Sequence, residues 1–179
     1  MKYKPLGYHW LALTASMLLA APSSLEALEL DVGQHIASAQ LGLSPMGDFS
    51  PARLQLMLLA EYEYLLLPEL SPLLSLSYGF NWGSTDSLLI GLGARYRYQD
   101  LPWPVHVHAS LSLLGGGLLN VRNVNLPFIG ARAGVGANYF FTSKLGAGAQ
   151  LTYEGGATLA SRNAYHWQLG ILLGVSYIL

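Results

Sequence analysis

The hydrophobic and polar positions of this chain alternate one by one over most of its length. In the second of these stretches Leu54, Leu56, Leu58, Ala60, Tyr62 and Tyr64 share one parity, and Arg53, Gln55, Met57, Leu59, Glu61 and Glu63 the other. A period of two is the signature of a strand with one apolar face. The pattern returns with Leu74–Trp82 against Ser75, Ser77, Gly79 and Asn81, and with Leu88–Tyr98 against Leu89, Gly91, Gly93, Arg95 and Arg97. Further on, Val105, Val107, Ala109, Leu111 and Leu113 oppose His106, His108, Ser110 and Ser112. Ile129–Phe141 opposes Gly130, Arg132, Gly134, Gly136 and Asn138, and Leu145–Tyr153 opposes Gly146, Gly148, Gln150, Thr152 and Glu154. The final stretch sets Trp167, Leu169, Ile171, Leu173, Val175, Tyr177 and Leu179 against a row that is small or polar apart from Leu172 and Ile178. The first stretch, Leu28–Leu43, changes parity between Ile36 and Ala37, which predicts a bulge near Ile36–Ser38. In all, about eight segments of roughly ten residues are bounded by turn chemistry.

The polar parity is mostly Gly and Ser with a few charges, too sparse to cover a soluble surface. The whole chain is 52% hydrophobic and only 11% charged, which fits a sheet whose apolar face meets lipid. Aromatic residues gather near strand ends. Tyr62, Tyr64, Tyr96, Tyr98, Tyr139, Phe141 and Tyr177 fall near one level, and Phe80, Trp82, Tyr153 and Trp167 near the other, as interfacial girdles do. The reading is an all-β fold: a closed, antiparallel, up-and-down, eight-stranded transmembrane β-barrel over residues 28–179. Ahead of it, Lys2, Lys4 and the apolar run "WLALTASMLLAA" read as a secretory signal over residues 1–27, with cleavage after Ala27 favoured over Ala21.

The outward row Ile171, Leu173, Val175, Tyr177, Leu179 resembles the C-terminal signal of bacterial outer-membrane barrels, which their assembly machinery reads. That family's usual last residue is Phe or Trp, where this chain has Leu179. Segment number, length and ending together resemble the small eight-stranded outer-membrane proteins, the OmpA transmembrane domain and OmpX class. The resemblance implies a monomer in the bacterial outer membrane whose partners are outer-membrane lipids and the assembly machinery.

An eight-stranded barrel is just wide enough to be filled by side chains. If the sixth and seventh strands turn at Thr142–Lys144, Arg132 lies opposite Glu154. If the fourth and fifth turn at "QDLPWP", Arg95 faces His108 and Arg97 faces His106. Glu61 and Glu63 are expected to reach over the small Ser75 and Ser77 to Arg95 and Arg97. The lumen then holds a charged plug near the periplasmic end, with a second cluster of Arg53, Arg132, Glu154 and His166 higher up. A structural or weakly pore-forming role follows, with no catalytic residue, cofactor or metal.

Other chemistries are weaker. His108 and Ser110 form a His-x-Ser pair similar to that of outer-membrane lipid A deacylases, which makes a lipid-modifying enzyme the alternative. Here both residues fall on the inward parity, and Leu111 stands where the family has Asn. His106 and His108 alternate on one strand as chelating imidazoles can, but two facing arginines disfavour a cation. The absence of Cys removes disulfides and thiolate metal sites. A net charge of -1 offers no electrostatic footprint for nucleic acid. The outer loops are short, and the one with Arg122 and Asn123 has the most room for a loop-mediated binding role.

Overall fold

The computed structural model describes residues 30–45, 54–81, 85–98, 101, 104–120, 125–159 and 165–179. They form eight strands: β1 (His35–Pro45), β2 (Leu54–Tyr64), β3 (Leu70–Asn81), β4 (Thr85–Tyr98), β5 (Val105–Asn120), β6 (Asn125–Phe140), β7 (Leu145–Thr158) and β8 (Tyr165–Ile178). Each strand pairs antiparallel with the next, and β1 pairs with β8 to close the barrel. The seam runs from Ile36↔Ile178 to Leu43↔Ile171. Closure leaves no sheet edge, so the ladder satisfies the backbone without water, as a lipid environment demands.

The alternation sorts residues as a membrane barrel requires. Leu92, Leu113 and Ile171 lie 66%, 74% and 62% exposed on the outside, while Glu63, Arg95 and Arg97 are each 1% exposed inside. The end where β1 begins and β8 ends, here the lower end, carries Tyr62, Tyr64, Tyr96, Tyr98, Tyr139 and Tyr177. His35 stands among the first of these: its ring lies 5.7 Å from Tyr62 and 5.0 Å from Tyr64, centroid to centroid, and its Nδ1 is hydrogen-bonded to the Tyr62 hydroxyl.

Three expectations change. There is no bulge in β1: its register with β2 and β8 runs unbroken through Ile36, Ala37 and Ser38. The parity switch arises because the residues before His35 form a turn. Gly33 adopts φ 88°, its N–H donates to the Leu65 carbonyl, and the Leu65 N–H donates to that of Gln34. A left-handed φ is what glycine permits. Leu30 and Ile36 meet in the floor of the barrel instead of sharing a strand face. Second, β5 continues past Leu113 to Asn120, and β6 begins at Asn125. The glycines that read as a loop stay in the ladder, as Gly115↔Ile129, Gly116↔Phe128 and Gly117↔Pro127. Third, the fourth and fifth strands pair in a different register, described below. The expected signal over 1–27, Arg53, Trp82, Arg122 and Asn123 lie outside the described residues.

Candidate functional site: a charged lumen in two storeys

Inward side chains fill the barrel in two charged groups. The lower one joins β2 to β4 across β3. Arg95 donates from Nη1 to Glu63 Oε1 (2.5 Å) and from Nη2 to Glu61 Oε2 (2.6 Å). Arg97 donates from Nη2 to both oxygens of Glu63, at 2.6 Å each. All four residues are buried. Charged groups survive there because each carboxylate meets a guanidinium; alone, either would be strongly destabilising. Gln40 on β1 bridges this group to β7, donating to Glu61 Oε2 and to Gln150 Oε1, both at 3.0 Å.

The sequence brings Glu61, Glu63, Arg95 and Arg97 together as expected, but by another route. The β3 residue between Glu63 and Arg95 is Ser71, which pairs with Arg95 in register and donates to Glu63 Oε2 at 2.9 Å. Ser75 and Ser77 serve the upper group instead. Arg132 donates to Ser75 Oγ at 3.2 Å and to Ser77 Oγ at 2.6 Å from across the lumen. The strands of a barrel are tilted, so inward side chains meet diagonally and not straight across the ladder. Position along one strand therefore misjudges which serine a charge will reach.

In the upper group Arg132 lies opposite Glu154, as the sequence predicts, and its Nε donates to Glu154 Oε1. Gln168, opposite Glu154 on the next strand, donates to Oε2. His166 is only half-buried, and with Glu154, Gln168, Ser87 and Phe128 it lines a cavity of about 20 Å³ below the upper rim. That is room for about one water.

The histidines sit two residues away from their expected partners. Arg97 faces His108, and Arg95 faces Ser110. The register of β4 with β5 is shifted by two residues from the one a tight turn at "QDLPWP" would set. Val105 and His106 pair with β6, as Val105↔Tyr139 and His106↔Asn138. His106 packs its ring 5.2 Å from that of Phe140. His108 and Ser110 both point inward, opposite Gly136 and Gly134. Inward glycines make room for them: a Cβ on Gly134 would come within 2.7 Å of Ser110 Oγ, and one on Gly136 within 2.8 Å of His108 Nε2.

Sequence reasoning missed the apolar part of the lumen. Leu30, Ile36, Leu65, Phe140 and Ile178 form a floor beneath the lower charges. Met57, Leu59 and Leu172 pack together on the β8–β1–β2 wall, beginning one inward step above Glu61. Leu89, Leu114, Leu118 and Phe128 form a further cluster above Arg132. It also missed Gln40, Ser71, Gln150 and Gln168. The available signal was their inward parity at the level of a charge. Among the described residues, no group of three His, Asp or Glu side chains is placed to hold a metal ion.

The barrel superposes on solved structures with a TM-score of 0.65 for Neisserial surface protein A, covering 80% of this chain and 96% of that one at 16% identity. For Ail, the attachment invasion locus protein of Yersinia pestis, the TM-score is 0.57, with 83% and 100% covered at 13% identity. The N-terminal barrel domain of Pseudomonas aeruginosa OprF gives 0.54, with 82% and 99% covered at 21% identity. The chain has the fold of the small eight-stranded outer-membrane barrels. No family model and no curated protein matches its sequence. At these identities the likeness is one of architecture, and whatever is particular to this barrel lies in its lumen and loops.

Proposed function

We propose that the protein is an integral, monomeric barrel of the bacterial outer membrane with a structural role, its lumen closed by side chains. The lower end is periplasmic, the tyrosine girdle sits at the inner interface, and the leucine-rich band meets outer-membrane lipids. The terminal row of β8 is read by the assembly machinery. No cofactor is needed, and the protein is not an enzyme: the His108–Ser110 pair points away from the lipid that would be its substrate. The observation that carries the closed-lumen reading is the buried Glu61–Arg95–Glu63–Arg97 network, which reaches from the β2 wall to the β4 wall above an apolar floor. With Gln40 bridging Glu61 to Gln150 on β7, the network supports a lumen without a continuous aqueous path.

Conductance in planar lipid bilayers tests it. The wild type should pass little or no current, and a variant with Glu63→Ala and Arg97→Ala together should pass more. A large, steady wild-type current would overturn the reading.

A further inference from the structure

The outer wall of the barrel is not evenly covered by its apolar side chains. A recess of about 380 Å³ opens on the outside of β2, β3 and β4, floored by Ala60 and walled by Tyr62, Leu74, Leu76 and Ile90. In register Ala39 lies beside Ala60 and Ala37 beside Tyr62, so small residues continue the low ground onto β1. The recess begins at the lower tyrosine girdle and runs up into the apolar band. A second outward recess, of about 180 Å³ over Ala133, is bordered by Val135, Leu151, Tyr153 and Leu169 on another side of the barrel.

The lower end of the first recess is polar. His35 stands one outward step below Ala37 and is hydrogen-bonded through Nδ1 to the hydroxyl of Tyr62. Nε2 is then the ring nitrogen left for a ligand among the described residues. Across the seam from Ala37 stands Tyr177, and the Lys144 ammonium lies 5.9 Å from the centre of that ring.

An apolar recess with a few polar groups at one end selects an amphiphile. The polar groups decide its head. An imidazole N–H and an ammonium are donors that favour an oxyanion, and hydrogen bonds to an ionised oxygen are the strong ones. His35 lies on β1 and Lys144 immediately before β7, with β8 between them, so their backbones stand about 10 Å apart. A phosphodiester with its glycerol spans that gap where a lone carboxylate does not.

We propose that this face of the barrel binds one glycerophospholipid of the inner leaflet, with an acyl chain over Ala60 and the phosphate between His35 and Lys144. Tyr62 serves twice: its ring walls the recess, and its hydroxyl orients the imidazole. The inference rests on the periplasmic reading of the lower end given above.

The test is native mass spectrometry of the full barrel, released from detergent micelles that contain equal amounts of dioleoylphosphatidylglycerol and dioleoylglycerol. The second lipid has the same chains and no phosphate. The wild type should keep a single phosphatidylglycerol. Ala60→Phe fills the recess, and His35→Phe with Lys144→Gln removes both donors while keeping their bulk; each should lower the retained fraction several-fold. Ala133→Phe, which fills the other recess, should leave it unchanged. Equal retention of the two lipids, or undiminished phosphatidylglycerol in all the variants, would reduce the contact to ordinary solvation by lipid and overturn the inference. A dimer in place of the lipid-bound monomer, lost in Ala60→Phe, would overturn it too and make this face a contact between two copies. The reading of the ends is tested separately. Leu67→Cys, in the β2–β3 turn of a chain with no other cysteine, should react with a membrane-impermeant maleimide only after the outer membrane is opened. Labelling on intact cells would overturn the periplasmic assignment and with it the leaflet, whereas loss of selective retention overturns the site alone.

Discussion

The two charged storeys neutralise themselves in different ways. The lower one is a network of two carboxylates and two guanidinium groups joined by three ion pairs. The upper one is a single pair, Arg132 with Glu154, helped by Ser75, Ser77 and Gln168. Both are buried to the same degree. In the network Arg95 touches both glutamates, so the loss of Glu61 leaves it a second partner. In the pair, neither member has a second charged partner among the described residues. The lesson is that the vulnerability of a buried charge depends on the connectivity of its partners as much as on burial.

The largest effects should come where a guanidinium loses its last carboxylate. Glu63→Ala strips Arg97 of its acid and leaves Arg95 with Glu61 alone; Glu154→Ala does the same to Arg132. Each should cost roughly 3–5 kcal/mol in equilibrium unfolding from lipid vesicles. Glu61→Ala should cost less, about 1–3 kcal/mol, because Arg95 keeps Glu63. Equal costs for Glu61→Ala and Glu154→Ala would break the comparison.

Removing Arg132 and Glu154 together sharpens it, since neither charge is left stranded. The double change to alanine should cost less than the sum of the singles, and strictly additive costs would show that the pair is not coupled. The smallest effects belong to the serines. Ser77→Ala and Ser71→Ala each remove one hydrogen bond and leave the ion pairs in place, at about 0.5–1.5 kcal/mol. Ser77→Ala should be the costlier, because Arg132 has one carboxylate where Glu63 has two guanidinium groups. The reverse order, measured by the same unfolding, would show that partner number is not what matters.

Much of this was legible in the residues. The period of two placed every charged residue of both storeys on the inner face, and the meeting of Glu61 and Glu63 with Arg95 and Arg97 followed from their shared depth. What failed were quantities that no single strand carries. The β4–β5 offset depends on how the connection between them turns, and a shift of two residues moved His108 from Arg95 to Arg97. The tilt of the strands decided that Ser71, not Ser75, lies beside Glu63. Apolar residues on the inner parity, such as Met57, Leu59 and Leu172, broke the alternation without announcing why. Only the closed barrel shows that they pack against one another.

The strand separation of these contacts also sets when each can form. Arg132 and Glu154 lie on the two arms of one hairpin, β6 and β7, so they can meet as soon as that hairpin exists. Glu63 and Arg95 need three consecutive strands, and the bond from Gln40 to Gln150 needs β1 and β7 curled toward each other around β8. If such contacts form only after the transition state of insertion, their effect falls on unfolding. Their loss accelerates unfolding and leaves the insertion rate nearly unchanged, whereas the loss of an early hairpin pair slows insertion itself. The Gln40–Gln150 bridge is accordingly expected to act as a late contact: Gln40→Ala should speed unfolding modestly and leave the insertion rate nearly unchanged.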